Sequence, residues 1–115
     1  MINICEIDYD DKEKFEAEVI RRIDSKENFG EDELSDLLWR LEEVDRKQYD
    51  DDRWTRPVSS ILRIGERFFQ LDWDKGLTEY QEDYFEEQPF EVFYKERVVV
   101  EKEWFPIEKG DNLNE

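Results

Sequence analysis

The stretch PVSSILRIGERFFQLDW, residues 57–73, decides the fold. Val58 to Ile64 is a run of aliphatic and β-branched residues that reads as a strand. Gly65-Glu66 comes next as a two-residue hairpin turn with glycine first. Arg67 to Trp73 is then the return strand. Its period of two sets Phe69, Leu71 and Trp73 on one face and Phe68, Gln70 and Asp72 on the other. An apolar sheet face of this kind needs a layer to cover it.

The cover is expected upstream. Residues 10–25 read as a helix, with Asp10 and Glu13 at capping-box spacing and Phe15, Val19, Ile20 and Ile23 on one side. Residues 31–48 read as a second helix, its stripe formed by Leu34, Leu37, Leu38, Leu41 and Val44, with Trp39 off the centre of that stripe. Gly30 and its neighbours separate the two, which suggests a helical hairpin. Downstream, residues 78–87 fit either a short acidic helix capped by Thr78 or an ordered loop, and Pro89 ends them. Val92 to Trp104 reads as a long third strand with Tyr94, Val98 and Val100 in phase. Val98-Val99-Val100 is apolar on both faces, as a central strand would be. From Lys109 onward the chain reads as frayed. The expectation is therefore an α+β single domain over residues 1–115. A helical hairpin (about 10–48) packs on a three-stranded antiparallel sheet (about 57–107).

Charge is the loudest compositional signal. Among 115 residues there are 34 acids, 17 Lys and Arg and no His, a net charge of −17. Such a field repels nucleic acid and anionic membrane and attracts basic proteins. Aromatic residues make up 15 % of the chain, enough apolar area for one core. No stretch approaches a membrane span, and the first residues lack the basic start and apolar run of a signal peptide. A single cysteine, Cys5, excludes an intramolecular disulfide and fits a reducing, cytoplasmic compartment. Without histidine it has no base to activate it, so it reads as a small buried side chain.

Chemical sites are scarce. Zinc sites of the usual kinds need ligands the chain lacks. A calcium loop starting at Asp8 would require glycine at 13 and glutamate at 19, where Glu13 and Val19 stand. The four glycines, Gly30, Gly65, Gly76 and Gly110, are too scattered for a phosphate-binding loop. No cofactor or metal is expected. Asp72 and Asp74, flanking Trp73 on one side of a strand, are the one candidate acid/base pair. In a chain this acidic such pairs arise by chance, and a solvated face is the simpler reading.

Two acidic segments stand out. Asp74 to Glu91 carries seven acids against Lys75 alone. In a helix, Glu79, Glu82, Asp83 and Glu86 would share one face, with Tyr80, Tyr84 and Phe85 interleaved. Asp72, Asp74 and Glu87 adjoin them in sequence. Closely spaced carboxylates can imitate the phosphates of DNA, which carries one charge per about 1.7 Å of axis. They would then occupy the Arg and Lys groups of a phosphate-binding groove. The competing reading is an ordinary acidic turn whose aromatics pack inward. A second patch, Glu42, Glu43, Asp45, Asp50, Asp51 and Asp52, falls at the end of the expected second helix. Acids there oppose the helix dipole, which hints that the charge serves another purpose.

From Arg53 onward the chain resembles small proteins of phages and mobile elements in Gram-positive bacteria. The resemblance rests on Trp54, Pro57-Val58-Ser59-Ser60-Ile61, Arg67-Phe68-Phe69, Trp73, Gly76-Leu77-Thr78-Glu79, Gln81-Glu82 and Gln88-Pro89. In size and charge it is similar to anti-CRISPR and anti-restriction proteins, several of which imitate DNA. That likeness is one of type and transfers no functional residue. It implies an inhibitor that blocks the DNA-binding groove of an effector nuclease in a bacterial cytoplasm. The partner would be a basic, nucleic-acid-handling protein, with no direct contact to nucleic acid or membrane. The alternative is a small non-enzymatic adaptor or structural protein that uses an aromatic or strand-edge interface, favoured if Trp39, Trp54 or Phe90 is exposed.

Overall fold

A computed structural model of the chain describes residues 3–98 and 100–107. It is an α+β fold of two helices and one antiparallel sheet, and the sheet has four strands rather than three. The order along the chain is a short 3-10 turn (Ile4–Glu6), α1 (Lys12–Asp24), α2 (Glu31–Arg40), β1 (Glu42–Gln48), β2 (Thr55–Ile64), β3 (Arg67–Gly76) and β4 (Phe90–Val92). The strands lie side by side in chain order, β1-β2-β3-β4.

The β2–β3 hairpin is as the sequence suggests. Ten cross-strand pairs run from Ile64↔Arg67 to Thr55↔Gly76. Gly65 has φ +61° while Glu66 stays in the ordinary region. That is the pattern of a turn with its first central residue left-handed. Val58, Leu62, Phe69, Leu71 and Trp73 point to the helices and join Phe15, Val19, Leu34, Leu37 and Leu41 in one buried cluster. Ser60 shares that face, fully buried, and accepts a hydrogen bond from Trp73 Nε1 at 2.9 Å.

α1 begins one residue later than the capping-box reading: Asp11, not Asp10, is the N-cap, its Oδ1 accepting from Lys14 N–H. α2 ends at Arg40, and the second half of the expected helix is strand β1. Leu41 is the last buried residue of the stripe, and Val44 is exposed at a bulge in the β1–β2 ladder. The cause is non-local. The open edge of β2 requires hydrogen-bond partners, and Glu42–Gln48 supplies them.

The long third strand is the second correction. β4 pairs with the beginning of β3, through Gln70↔Phe90, Phe69↔Glu91 and Phe68↔Val92. Residues after Phe93 therefore run past Arg67 and off the end of the hairpin, where β3 offers no further ladder partner. Residues 93–98 and 100–107 have no regular structure, and Val98 and Val100 are exposed rather than central. Val99, and the frayed end expected from Lys109, lie outside the described residues.

A buried ion pair joins the helices. Arg22 Nη1 donates to Glu33 Oε2 at 2.7 Å with both residues buried. Glu33 also accepts from the N–H groups of Ile4 and Gly30, each at 2.9 Å. Burial alone would push the Glu33 carboxyl up, but these three donors outweigh it and hold it below the usual carboxylate value. Arg40 performs a similar task at the other end of α2. It lies over the rings of Phe15 and Tyr9 and donates to the carbonyls of Ile7 and Asp8, each at 2.9 Å.

Candidate functional site

The helices cover one face of the sheet and leave the other open. On the open face the odd residues of β2, Pro57 and Ser59, stand opposite Asp74 and Asp72 of β3. The segment after β3 does not form the acidic helix; it is a loop that folds back over this end of the sheet. Gly76 permits the fold-back, since a Cβ there would lie 2.0 Å from the Gln81 carbonyl oxygen. Gly76 N–H donates to Asp83 Oδ1 at 2.9 Å. A two-way bridge between Asp74 and Tyr84, at 3.0 and 2.8 Å, then carries the loop alongside β3. Further on, the Gln88 amide makes reciprocal hydrogen bonds with the Phe29 backbone, at 2.8 and 3.1 Å. Phe85 stacks on Trp73, with ring centroids 5.4 Å apart, and seals the core beneath the loop.

Between loop and sheet lies a cleft of about 560 Å³. Its polar lining includes Asp72, Asp74, Glu86, Glu87, Tyr49, Tyr84 and Ser59, and among the described residues no Lys or Arg contributes to it. Asp72 is held in place: Ser59 Oγ and Gln70 Nε2 both donate to its Oδ1, at 2.7 and 2.8 Å. Tyr49 OH lies 3.4 Å from Ser59 Oγ and extends the chain of polar groups. Asp72 and Asp74 are two residues apart on one strand face, so their Cα atoms are separated by about 7 Å. The cleft thus presents four carboxylates and two tyrosine rings. The chain's own Lys47 already lies over the Tyr49 ring, 5.0 Å from its centroid, so an incoming Arg or Lys can meet the carboxylates by charge-assisted hydrogen bonds and stack its cation on Tyr84.

The structure sorts the expected residues of this region into two sets. Asp72, Asp74, Glu86 and Glu87 converge in the cleft. Glu79, Glu82 and Asp83 are exposed on the loop and do not form a helical face with Glu86. Asp83 borders a separate hollow with Glu31, Asp32 and Phe85. The aromatics of this segment divide as well: Phe85 is buried, Tyr84 lines the cleft and Tyr80 is exposed.

The second patch lies on an edge strand and the loop after it, not at a helix end, so the dipole argument for it falls away. Glu42 and Asp45 are on the open face, and Glu43 pairs with Arg46 at 3.0 Å on the other. Asp51 pairs with Arg56, whose hydrogen bond holds the Asp51 carboxyl below its ordinary value. Asp52 and the exposed Asp50 belong to the tight connection to β2. Tyr49 and Ser59 are the cleft residues that sequence reasoning misses. Tyr49 comes after a segment with helical spacing, and Ser59 sits in an otherwise apolar strand.

Cys5 is half-buried beside Asp36. Burial, with the Asp36 carboxylate adding to it, pushes its thiol up to about 11, the opposite of an activated nucleophile. Among the described residues no group of three or more His, Cys, Asp or Glu is arranged to hold a metal ion. No helix among them is long and apolar enough to cross a membrane. Comparison with protein-family models, curated proteins and solved structures finds no match.

Proposed function

We propose that the chain is a non-enzymatic inhibitor that seats a basic side chain of a nucleic-acid-handling protein in its acidic cleft. The observation that carries this reading is the cleft lining: four carboxylates with two tyrosines and, among the described residues, no Lys or Arg. In a protein of net charge −17 the surrounding field draws a positively charged groove towards that cleft. The partner's phosphate-binding surface is then occupied without any contact between this chain and nucleic acid. In its most specific form the partner is a DNA-targeting CRISPR effector nuclease in a bacterial cytoplasm, and the chain is a phage-borne or mobile-element anti-CRISPR protein. Mimicry here rests on the cleft, with the loop acids Glu79 and Glu82 and the β1 acids contributing long-range field.

The test is DNA binding by such a nuclease in the presence of this protein, over a series of salt concentrations. The wild-type chain is expected to block DNA binding, and the block weakens as salt rises. Asp74→Lys combined with Glu86→Lys and Glu87→Lys should abolish it. Inhibition that survives those three substitutions would overturn the assignment of the cleft.

Trp39, Trp54 and Phe90, exposed at 72 %, 55 % and 47 %, favour the second reading, an adaptor with an aromatic interface. Salt separates the two. An aromatic interface keeps its partner at high ionic strength, and a carboxylate cleft releases it.

A further inference from the structure

Beyond Val92 the chain keeps the composition of a strand and, among the described residues, has no strand beside it. The radius of gyration is 21.9 Å and the longest dimension 78 Å. A compact chain of this length would have a radius near ~13 Å, so the segment reaches far from the body. Its apolar side chains face solvent, with Val98 95 % and Trp104 90 % exposed. It is also electrically balanced. Lys95, Arg97 and Lys102 offset Glu96, Glu101 and Glu103, in a chain whose net charge is −17.

The order of these residues is antisymmetric in charge. Two copies laid antiparallel, with Val98 of one facing Val100 of the other, set Arg97 against Glu101, Glu96 against Lys102 and Lys95 against Glu103. Further out, Tyr94 meets Trp104 and Phe93 meets Phe105. A slip of one residue destroys the match. In one direction Glu96 meets Glu101 and Lys95 meets Lys102; in the other Arg97 meets Lys102 and Glu96 meets Glu103. Parallel in-register pairing opposes every charge to its own kind. Opposite charges and aromatic pairs directly across a ladder stabilise it, and like charges destabilise it, so a single register is selected.

We propose that residues 93–98 and 100–105 form a self-pairing strand whose partner is the same segment of a second copy of this chain. The interface is isologous about a twofold axis. A free two-stranded ribbon is marginal in water, but each strand here continues β4 and is anchored through it to a four-stranded sheet. Tyr94 already packs edge-on against Phe68 of β3, ring centroids 5.7 Å apart, which extends the open-face aromatic row into the ribbon. The geometry also answers the charge. A ribbon running from Phe93 to Phe105 holds the two acidic bodies about 40 Å apart, several screening lengths in physiological salt.

Sedimentation equilibrium on the full chain tests this with Arg97→Glu, Glu101→Arg and the double substitution. The wild-type chain is expected to dimerise. Each single substitution opposes like charges twice in the twofold ribbon and should weaken the dimer by about tenfold or more. The double substitution reverses both signs and should restore it. An equimolar mixture of the two single variants should form a heterodimer, because the introduced carboxylate of one meets the introduced guanidinium of the other. A wild-type chain that stays monomeric at millimolar concentration overturns the proposal. So does a dimer indifferent to both single substitutions, which would place the contact elsewhere.

Discussion

The two faces of the β2–β3 hairpin come from alternating residues of the same strands, and they meet opposite demands. Towards the helices stand Val58, Ser60, Leu62, Phe69 and Leu71, all at 1 % exposure or less. The polar groups buried on that side have partners, down to the Trp73–Ser60 hydrogen bond and the Arg22–Glu33 pair behind it. Away from the helices stand Pro57, Ile61, Gln70, Asp72 and Asp74, all half-buried and covered by no helix. The first face is finished by the chain itself. The second keeps a cleft of carboxylates with no Lys or Arg among its described lining residues.

The comparison can be broken from the finished side first. Phe69→Ala should cost about 3–5 kcal/mol in denaturant unfolding, because a fully buried ring leaves a cavity. Its neighbour Gln70→Ala, on the open face, loses its hydrogen bonds to Asp72 Oδ1 and, longer, to Ser59 Oγ, and should cost about 1–2 kcal/mol. Equal losses would mean that both faces are core. Glu33→Ala removes the 2.7 Å partner of the buried Arg22, leaving its longer contact with Glu18 at 3.4 Å, and should cost about 3 kcal/mol.

Acid titration sharpens the same point. The Glu33 carboxyl lies lower in the folded than in the unfolded chain, whose ordinary value is 4.5. Its contribution is therefore complete above about pH 4.5 and is lost as pH falls through the folded value. Chemical unfolding monitored from neutral to acid pH should show a shallower acid limb in Glu33→Gln than in the wild-type chain.

Smaller effects belong to the open side. Gly76→Ala forces the 77–84 loop off its seat and should cost about 1–3 kcal/mol while deforming the cleft. Asp74→Asn with Glu86→Gln and Glu87→Gln should leave the unfolding temperature unchanged or slightly raised, and weaken capture of the basic partner. A fall in unfolding temperature would show that these carboxylates support the fold rather than face a ligand.

How much of this the sequence reveals depends on where each element finds its partner. The hairpin is legible because strand, turn and return strand adjoin, and Gly65 marks the turn. β1 is not. All seven of its residues are exposed, so no alternation betrays it, and the spacing from Leu34 to Leu41 runs on smoothly to Val44. Residues 93–104 show the reverse error. Their local pattern is a strand's, but the register of β4 carries them beyond β3. In the cleft, Asp72 and Asp74 are placed by a period of two. Glu86, Glu87 and Tyr84 arrive by a fold-back that depends on one missing Cβ at Gly76, a contact no local pattern encodes.

The shortness of β4 has one more consequence. Three residues fasten the outgoing chain to the sheet by backbone pairing, and past Tyr94 it leaves the body. The proposed pairing would therefore be separable from folding: substitutions in the outgoing segment can strengthen, weaken or re-target it while the buried cluster stays untouched.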